Sequence, residues 1–247
     1  MRNYFTFGNI DSRDYGTYIS GGGVYNAPKR TYETVQIPGR NGDLILGGDS
    51  FENIPVKYPA FIIPDFSTNV SGLRNALLSQ KGYKPLKDSY NPSETRYGVY
   101  MDDFTVSPSQ NLKEGELELS FYCKPQRYLD SGLEVFQYTN AGGTITNPTP
   151  FECFPLITVT GYGIFSIIAE DGTNVGISIA DTFPSVTIDT ESMNAYYESE
   201  NANFVVTFLD TNARYPALQP GENIIGTTQV LSQYITKIEI VPRWYII

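Results

Sequence analysis

Residues 115–123 read Gly115-Glu116-Leu117-Glu118-Leu119-Ser120-Phe121-Tyr122-Cys123. Successive side chains of a strand point to opposite sides, so Leu117, Leu119, Phe121 and Cys123 share one face and Glu116, Glu118, Ser120 and Tyr122 the other. The stretch is a half-buried strand with a core behind it. Upstream lie shorter β-type runs at Glu33 to Ile37, Leu44 to Leu46, Ile54 to Tyr58 and Arg96 to Tyr100, with Asn41-Gly42 as a hairpin-turn signal. One helix interrupts them. From Ser67 to Lys81 the apolar residues Val70, Leu73 and Leu77 recur at helical spacing, with Ser67 or Thr68 to cap the start and Gly82 to stop the end.

Downstream no helical period recurs. Runs at Leu133 to Tyr138, Leu156 to Thr160, Gly163 to Ala169, Gly176 to Ile179, Ser185 to Ile188, Phe204 to Phe208 and Lys237 to Pro242 alternate with Asn147-Pro148, Asp171-Gly172 and Pro220-Gly221. That rhythm belongs to an all-β sandwich or jelly roll. Charge changes at the same place. Residues 1–130 carry 14 basic and 15 acidic side chains, whereas residues 131–247 carry 3 basic (Arg214, Lys237, Arg243) and 12 acidic. Two domains, 1–130 and 131–247, are the simplest reading of a 247-residue chain.

Composition removes whole classes of chemistry. The chain has no histidine, which eliminates Ser-His-Asp and Cys-His catalysis, HExxH zincins and imidazole-dependent metal sites. A formal net charge of −10 disfavours binding to polyanions such as nucleic acid. The two cysteines, Cys123 and Cys153, are too few for a thiolate metal site. Both sit in apolar, strand-like sequence that suits buried thiols, and a disulfide between them stays open. No secretory signal is evident at the N-terminus and no apolar run approaches the ~18 residues of a membrane span, so synthesis in the cytoplasm without membrane insertion is expected.

Motifs that would carry chemistry are weak. Gly21-Gly22-Gly23 precedes no helix and Gly161-Tyr162-Gly163 lacks a third glycine, so neither makes a phosphate cradle. Asp171-Gly172-Thr173-Asn174 begins a calcium loop without its closing Glu and reads as a turn. Asn69-Val70-Ser71 matches a glycosylation acceptor but falls on the expected helix of a chain with no export signal. Carboxylate pairs hydrolyse glycosides without histidine. Asp102, Asp103, Glu114, Glu198 and Glu200 are the candidates, although turns and solvated loops account for them better. Tyrosine is abundant, with 19 residues including Tyr83, Tyr90, Tyr97 and Tyr100. Interfaces, sugar sites and plain β-sheets all use it.

Longer segments carry more information. Thr34-Val35-Gln36-Ile37-Pro38-Gly39-Arg40-Asn41-Gly42-Asp43-Leu44, Phe51-Glu52-Asn53-Ile54, Gly82-Tyr83 with Leu86, Asp88, Ser89 and Tyr90, and Phe121-Tyr122-Cys123-Lys124-Pro125-Gln126-Arg127-Tyr128-Leu129 occur in this order. They are followed by Pro220-Gly221-Glu222-Asn223 and Ile240-Val241-Pro242-Arg243-Trp244-Tyr245. In order and spacing the chain resembles the distal tail protein (Dit) family of long-tailed bacteriophages, hub subunits of the tail tip or baseplate.

The resemblance implies a mainly β fold with one helix: an N-terminal β-rich belt domain that makes a ring, then a galectin-like β-sandwich. It implies a structural virion protein at the tail tip rather than an enzyme, in a ring of six copies that joins tail tube to tip and leaves an axial channel for DNA. Its partners would be copies of itself, the tail tube protein and the tail-tip protein, with receptor-binding or baseplate proteins on the outer domain left open. No cofactor or metal is implied. A closed ring needs a heterologous interface, for which the complementary side chains Arg40, Asn41, Asp43 and Arg96 are the candidates. The rival reading is a carbohydrate-binding module that adsorbs to host cell-wall polysaccharide, with Trp244 as the stacking ring.

Overall fold

The structure is a computed structural model that describes residues 2–110, 113–139, 141–209, 214–227 and 234–247. Cα proximity divides the chain into two compact units, Met1–Arg127 with Ile247, and Tyr128–Ile246. Within the first unit the strands are β1 (Phe5–Phe7), β2 (Ile10–Asp11), β3 (Thr17–Ile19), β4 (Arg30–Val35), β5 (Leu44–Phe51), β6 (Ile54–Ile62), β7 (Lys84–Asp88), β8 (Glu94–Tyr100), β9 (Val106–Pro108) and β10 (Gly115–Leu129), with helix α1 (Phe66–Ser79) between β6 and β7. The main sheet runs β2-β1-β7-β8-β10-β6-β3, and β9 shares an edge of β10 with β8.

Strand β10 organises this sheet. It pairs antiparallel with β6 from Gly115 opposite Ile62 to Cys123 opposite Ile54, and its buried face is Leu117, Leu119, Phe121 and Cys123. Facing residues of β6 are buried in the same alternation, so the pair lays one continuous apolar surface inward. Helix α1 adds Leu73 and Leu77, both fully buried, and Val70 packs at the margin of the same core. The helix begins at Phe66 rather than Ser67. Asp65 holds the cap position in a left-handed conformation (φ 52°) without a side-chain capping bond, while Phe66 packs on the core. Tertiary contact therefore sets the cap that the local pattern placed two or three residues later.

In the second unit the strands are β11 (Phe136–Tyr138), β12 (Gly143–Asn147), β13 (Leu156–Gly161), β14 (Gly163–Ala169), β15 (Asn174–Ile179), β16 (Ser185–Asp189), β17 (Asn194–Tyr197), β18 (Glu200–Asn201), β19 (Val206–Phe208), β20 (Gly221–Thr227), β21 (Ile235–Val241) and β22 (Tyr245–Ile246). They form two antiparallel sheets, β11-β21-β13-β16-β17-β18 and β12-β20-β14-β15-β19. Ile157, Val159 and Ile240 from the first and Phe165, Ile167 and Ile177 from the second meet in one buried cluster, which makes the unit a β-sandwich. The run read as a strand from Phe204 is split: Asn203–Val205 is a 3-10 turn, and pairing starts at Val206.

Both cysteines are free and fully buried, Cys123 in the first unit and Cys153 in the second. Burial pushes the Cys123 thiol up to about 12, against a small opposing effect of Arg96. Burial also raises Cys153, although hydrogen bonds from Thr149 and Asn147 work the other way. Thiolate is the reactive form, so a thiol reagent at pH 8 is expected to modify neither cysteine in the native protein and both in denaturant. Rapid stoichiometric labelling of the native chain would contradict this packing.

Candidate functional site

Strands β4 and β5 stand outside both cores. Among the described residues they pair only with each other, from Arg30 opposite Phe51 to Val35 opposite Leu44, with a bulge after Thr31. The base is fastened by Glu52 N–H donating to the Lys29 carbonyl at 2.8 Å and by the Arg30 guanidinium lying 4.4 Å from the centre of the Phe51 ring. At the tip, Gly39 (φ 82°) and Gly42 (φ 80°) take left-handed conformations that a side chain would strain, and Arg40 N–H closes a turn onto the Ile37 carbonyl.

Cross-strand pairing puts Tyr32, Thr34 and Ile45 on one face of this ribbon and Glu33, Val35, Leu44 and Leu46 on the other. Neither face is covered. Every residue of β4 is exposed, and Ile45 is 62% and Leu46 45% accessible. A two-stranded hairpin is at best marginally stable alone in water, and an uncovered apolar strand pair is a template for association. These faces therefore have the composition of an interface and lack a partner among the described residues.

Three of the four residues proposed for an interface lie together at the ribbon tip: Arg40, Asn41 and Asp43, all exposed. Arg96 does not join them. It is 6% accessible on β8, on the same side of the strand as buried Tyr100, and burial lowers its pKa. A guanidinium so enclosed is not a register-setting surface charge in this structure.

Trp244 also departs from expectation. It is 3% accessible, its ring meets Phe136 edge-on at 5.6 Å, and its Nε1–H donates to Ser131 Oγ at 3.2 Å. Gly132 is required beside it, because a Cβ there would lie 2.5 Å from the indole. Such a ring has no face to offer a sugar. The preceding Arg243 takes a left-handed conformation (φ 58°) and pairs with Asp189 at 2.7 Å.

The carboxylates Asp102, Asp103, Glu114, Glu198 and Glu200 are all exposed, the first three in one unit and the last two in the other. Among the described residues there is no group of three or more Cys, Asp or Glu side chains placed to hold a metal ion. No helix among them is long and apolar enough to cross a membrane.

The Dit (gp 19.1) protein of phage SPP1, described as a paradigm of the hub adsorption apparatus in phages that infect Gram-positive bacteria, superposes over 97% of this chain and 98% of that one. The TM-score is 0.71 at 16% identity. The chain has the Dit fold. A chain of the phage p2 baseplate in its activated conformation with Sr aligns over 96% of this chain and 97% of that chain, with a TM-score of 0.49 and 11% identity. No protein-family model and no curated protein matches the sequence. The Dit fold thus joins this chain to a solved hub protein by shape, at an identity where sequence statistics are silent.

Proposed function

We propose that the protein is a structural subunit of a phage tail tip, six copies of which close into a ring that joins the tail tube to the tip and leaves an axial channel for DNA. The observation that carries this reading is the β4–β5 ribbon, apolar and uncovered on both faces. A ribbon that leaves its own body and docks on the next copy makes a heterologous contact, the type that generates rings when its rotation closes. Arg40, Asn41 and Asp43 at the tip then fix register against the neighbour.

The division of labour follows charge. The nearly neutral residues 1–130 form the belt, and the acidic residues 131–247, a galectin-like sandwich, stay solvated outside and offer docking surface to other tail proteins. The tail tube protein and the tail-tip protein are the partners above and below. No step asks any residue for covalent chemistry.

Native mass spectrometry with negative-stain imaging tests the proposal. Six 27.6-kDa chains give particles of about 166 kDa with a central hole. A protein that stays monomeric at high concentration, and also when mixed with its tail tube protein, would refute it.

A further inference from the structure

At one end of the sandwich, the turn over 170–173 between β14 and β15 and the turn over 190–193 between β16 and β17 open around a cavity of about 460 Å3. That is within the ~300–1,000 Å3 range of ligand pockets. Phe154, Ile167, Val175 and Ala217 give it apolar walls, while Glu152 and Gln219 stand at its rim.

The polar pair is built rather than incidental. Glu152 and Gln219 flank an isolated antiparallel bridge in which Cys153 and Leu218 exchange N–H···O bonds of 3.0 and 2.8 Å. Gln219 Nε2 donates to Glu152 Oε2 at 2.7 Å. Asn223, fully buried, clamps the Gln219 backbone from both sides: its Oδ1 accepts from Gln219 N–H at 2.9 Å and its Nδ2 donates to the Gln219 carbonyl at 2.8 Å. Asn147 Nδ2 donates to the Leu218 carbonyl at 3.1 Å. The rim is thus held in place before any ligand arrives.

We propose that this cavity binds a single uncharged pyranose residue of a glycan. A carboxylate has about four acceptor sites, and one donor from Gln219 leaves capacity for sugar hydroxyls. The apolar walls suit the C–H face of the ring. Arg214 also lines the cavity, so acidic and basic groups face the ligand together and neither an anion nor a cation is singled out. A wholly apolar ligand would strip water from Glu152 and return no hydrogen bond.

The test is a titration of the full chain, followed by saturation-transfer NMR, with the methyl glycosides of glucose, galactose, rhamnose and N-acetylglucosamine. Saturable binding of at least one is expected, weakened about tenfold by Glu152→Ala through loss of a charged hydrogen-bond acceptor, abolished by Ala217→Trp, which fills the cavity, and unchanged by Phe204→Ala elsewhere on the same unit. Glu152 is exposed, so its replacement leaves the fold intact. Absence of saturable binding to all four glycosides, or binding that Glu152→Ala leaves untouched, would overturn the proposal. The measurement reads a protomer and does not depend on ring formation.

Discussion

Replacing Ile45 and Leu46 together by aspartate is expected to yield a folded protein that no longer forms rings. The two residues point to opposite faces of the β4–β5 ribbon and are 62% and 45% accessible, so little of either is packed within the protomer. Exposed substitutions of this kind usually change stability by less than about 0.5 kcal/mol, and the melting temperature should hardly move. At a neighbour's surface the consequence is large. Each large aliphatic side chain that is buried there contributes about 1.5–3 kcal/mol, and an aspartate in its place adds the cost of an unpaired buried charge. The loss recurs at every interface of a closed ring, so the native mass should fall from about 166 kDa to that of one 27.6-kDa chain. Arg40→Ala and Asp43→Ala at the tip are expected to weaken rings without abolishing them, because exposed ion pairs contribute only about 0–1 kcal/mol. Rings that survive the double aspartate variant would place the interface elsewhere.

The same ribbon shows how far the sequence could be read. Its hydrogen-bonded turn closes at Ile37–Arg40 and Asn41-Gly42 is a bend in the same loop, whereas its two strands are legible from local pattern, since they depend on neighbouring residues alone. Its isolation is not, because nothing in Arg30–Val35 or Leu44–Phe51 tells whether another strand lies beside it. Strands β10 and β14 were readable for the opposite reason: each alternates long enough for one face to be assigned inward. Strands β1, β2 and β3 escaped because two or three residues carry no measurable period, although Phe5 and Phe7 are both fully buried. Strand β20, with Glu222 and Asn223 near its start, is missing from the runs that alternation picks out, although Pro220-Gly221-Glu222-Asn223 carries part of the family resemblance. Asn223 is buried because it serves as a backbone clamp for Gln219, a role visible only once the two segments are brought together. The rim at Glu152 and Gln219 was hidden likewise, its members lying 67 positions apart. Trp244 stands out as a stacking ring by residue type alone, whereas its burial against Phe136 and Gly132 depends on segments far away in the sequence.

Phe121→Ala is expected to be among the most damaging single changes in the first unit. Phe121 is fully buried on β10, opposite Val56 of β6. Its ring lies 5.5 Å from Phe5, 4.9 Å from Phe7, 6.1 Å from Tyr58 and 5.6 Å from Tyr100, three of these contacts edge-on. Those four rings come from β1, β6 and β8, so one side chain ties the middle of the sheet to both its neighbours and to the N-terminal strand. Truncation removes the transfer free energy of the ring and leaves a cavity that four large, mutually packed side chains cannot fill by small shifts. The expected loss is about 3–5 kcal/mol, a large share of the ~5–15 kcal/mol that stabilises a typical domain. Phe121→Leu keeps an apolar side chain in place and should cost less than Phe121→Ala, while Phe204→Ala, at a residue 71% exposed, should stay within about 0.5 kcal/mol. Denaturant unfolding monitored through the first unit measures all three. A loss below about 1 kcal/mol for Phe121→Ala would mean that the surrounding rings close over the gap, and that β10 is held in register by its backbone pairing with β6 rather than by the aromatic cluster.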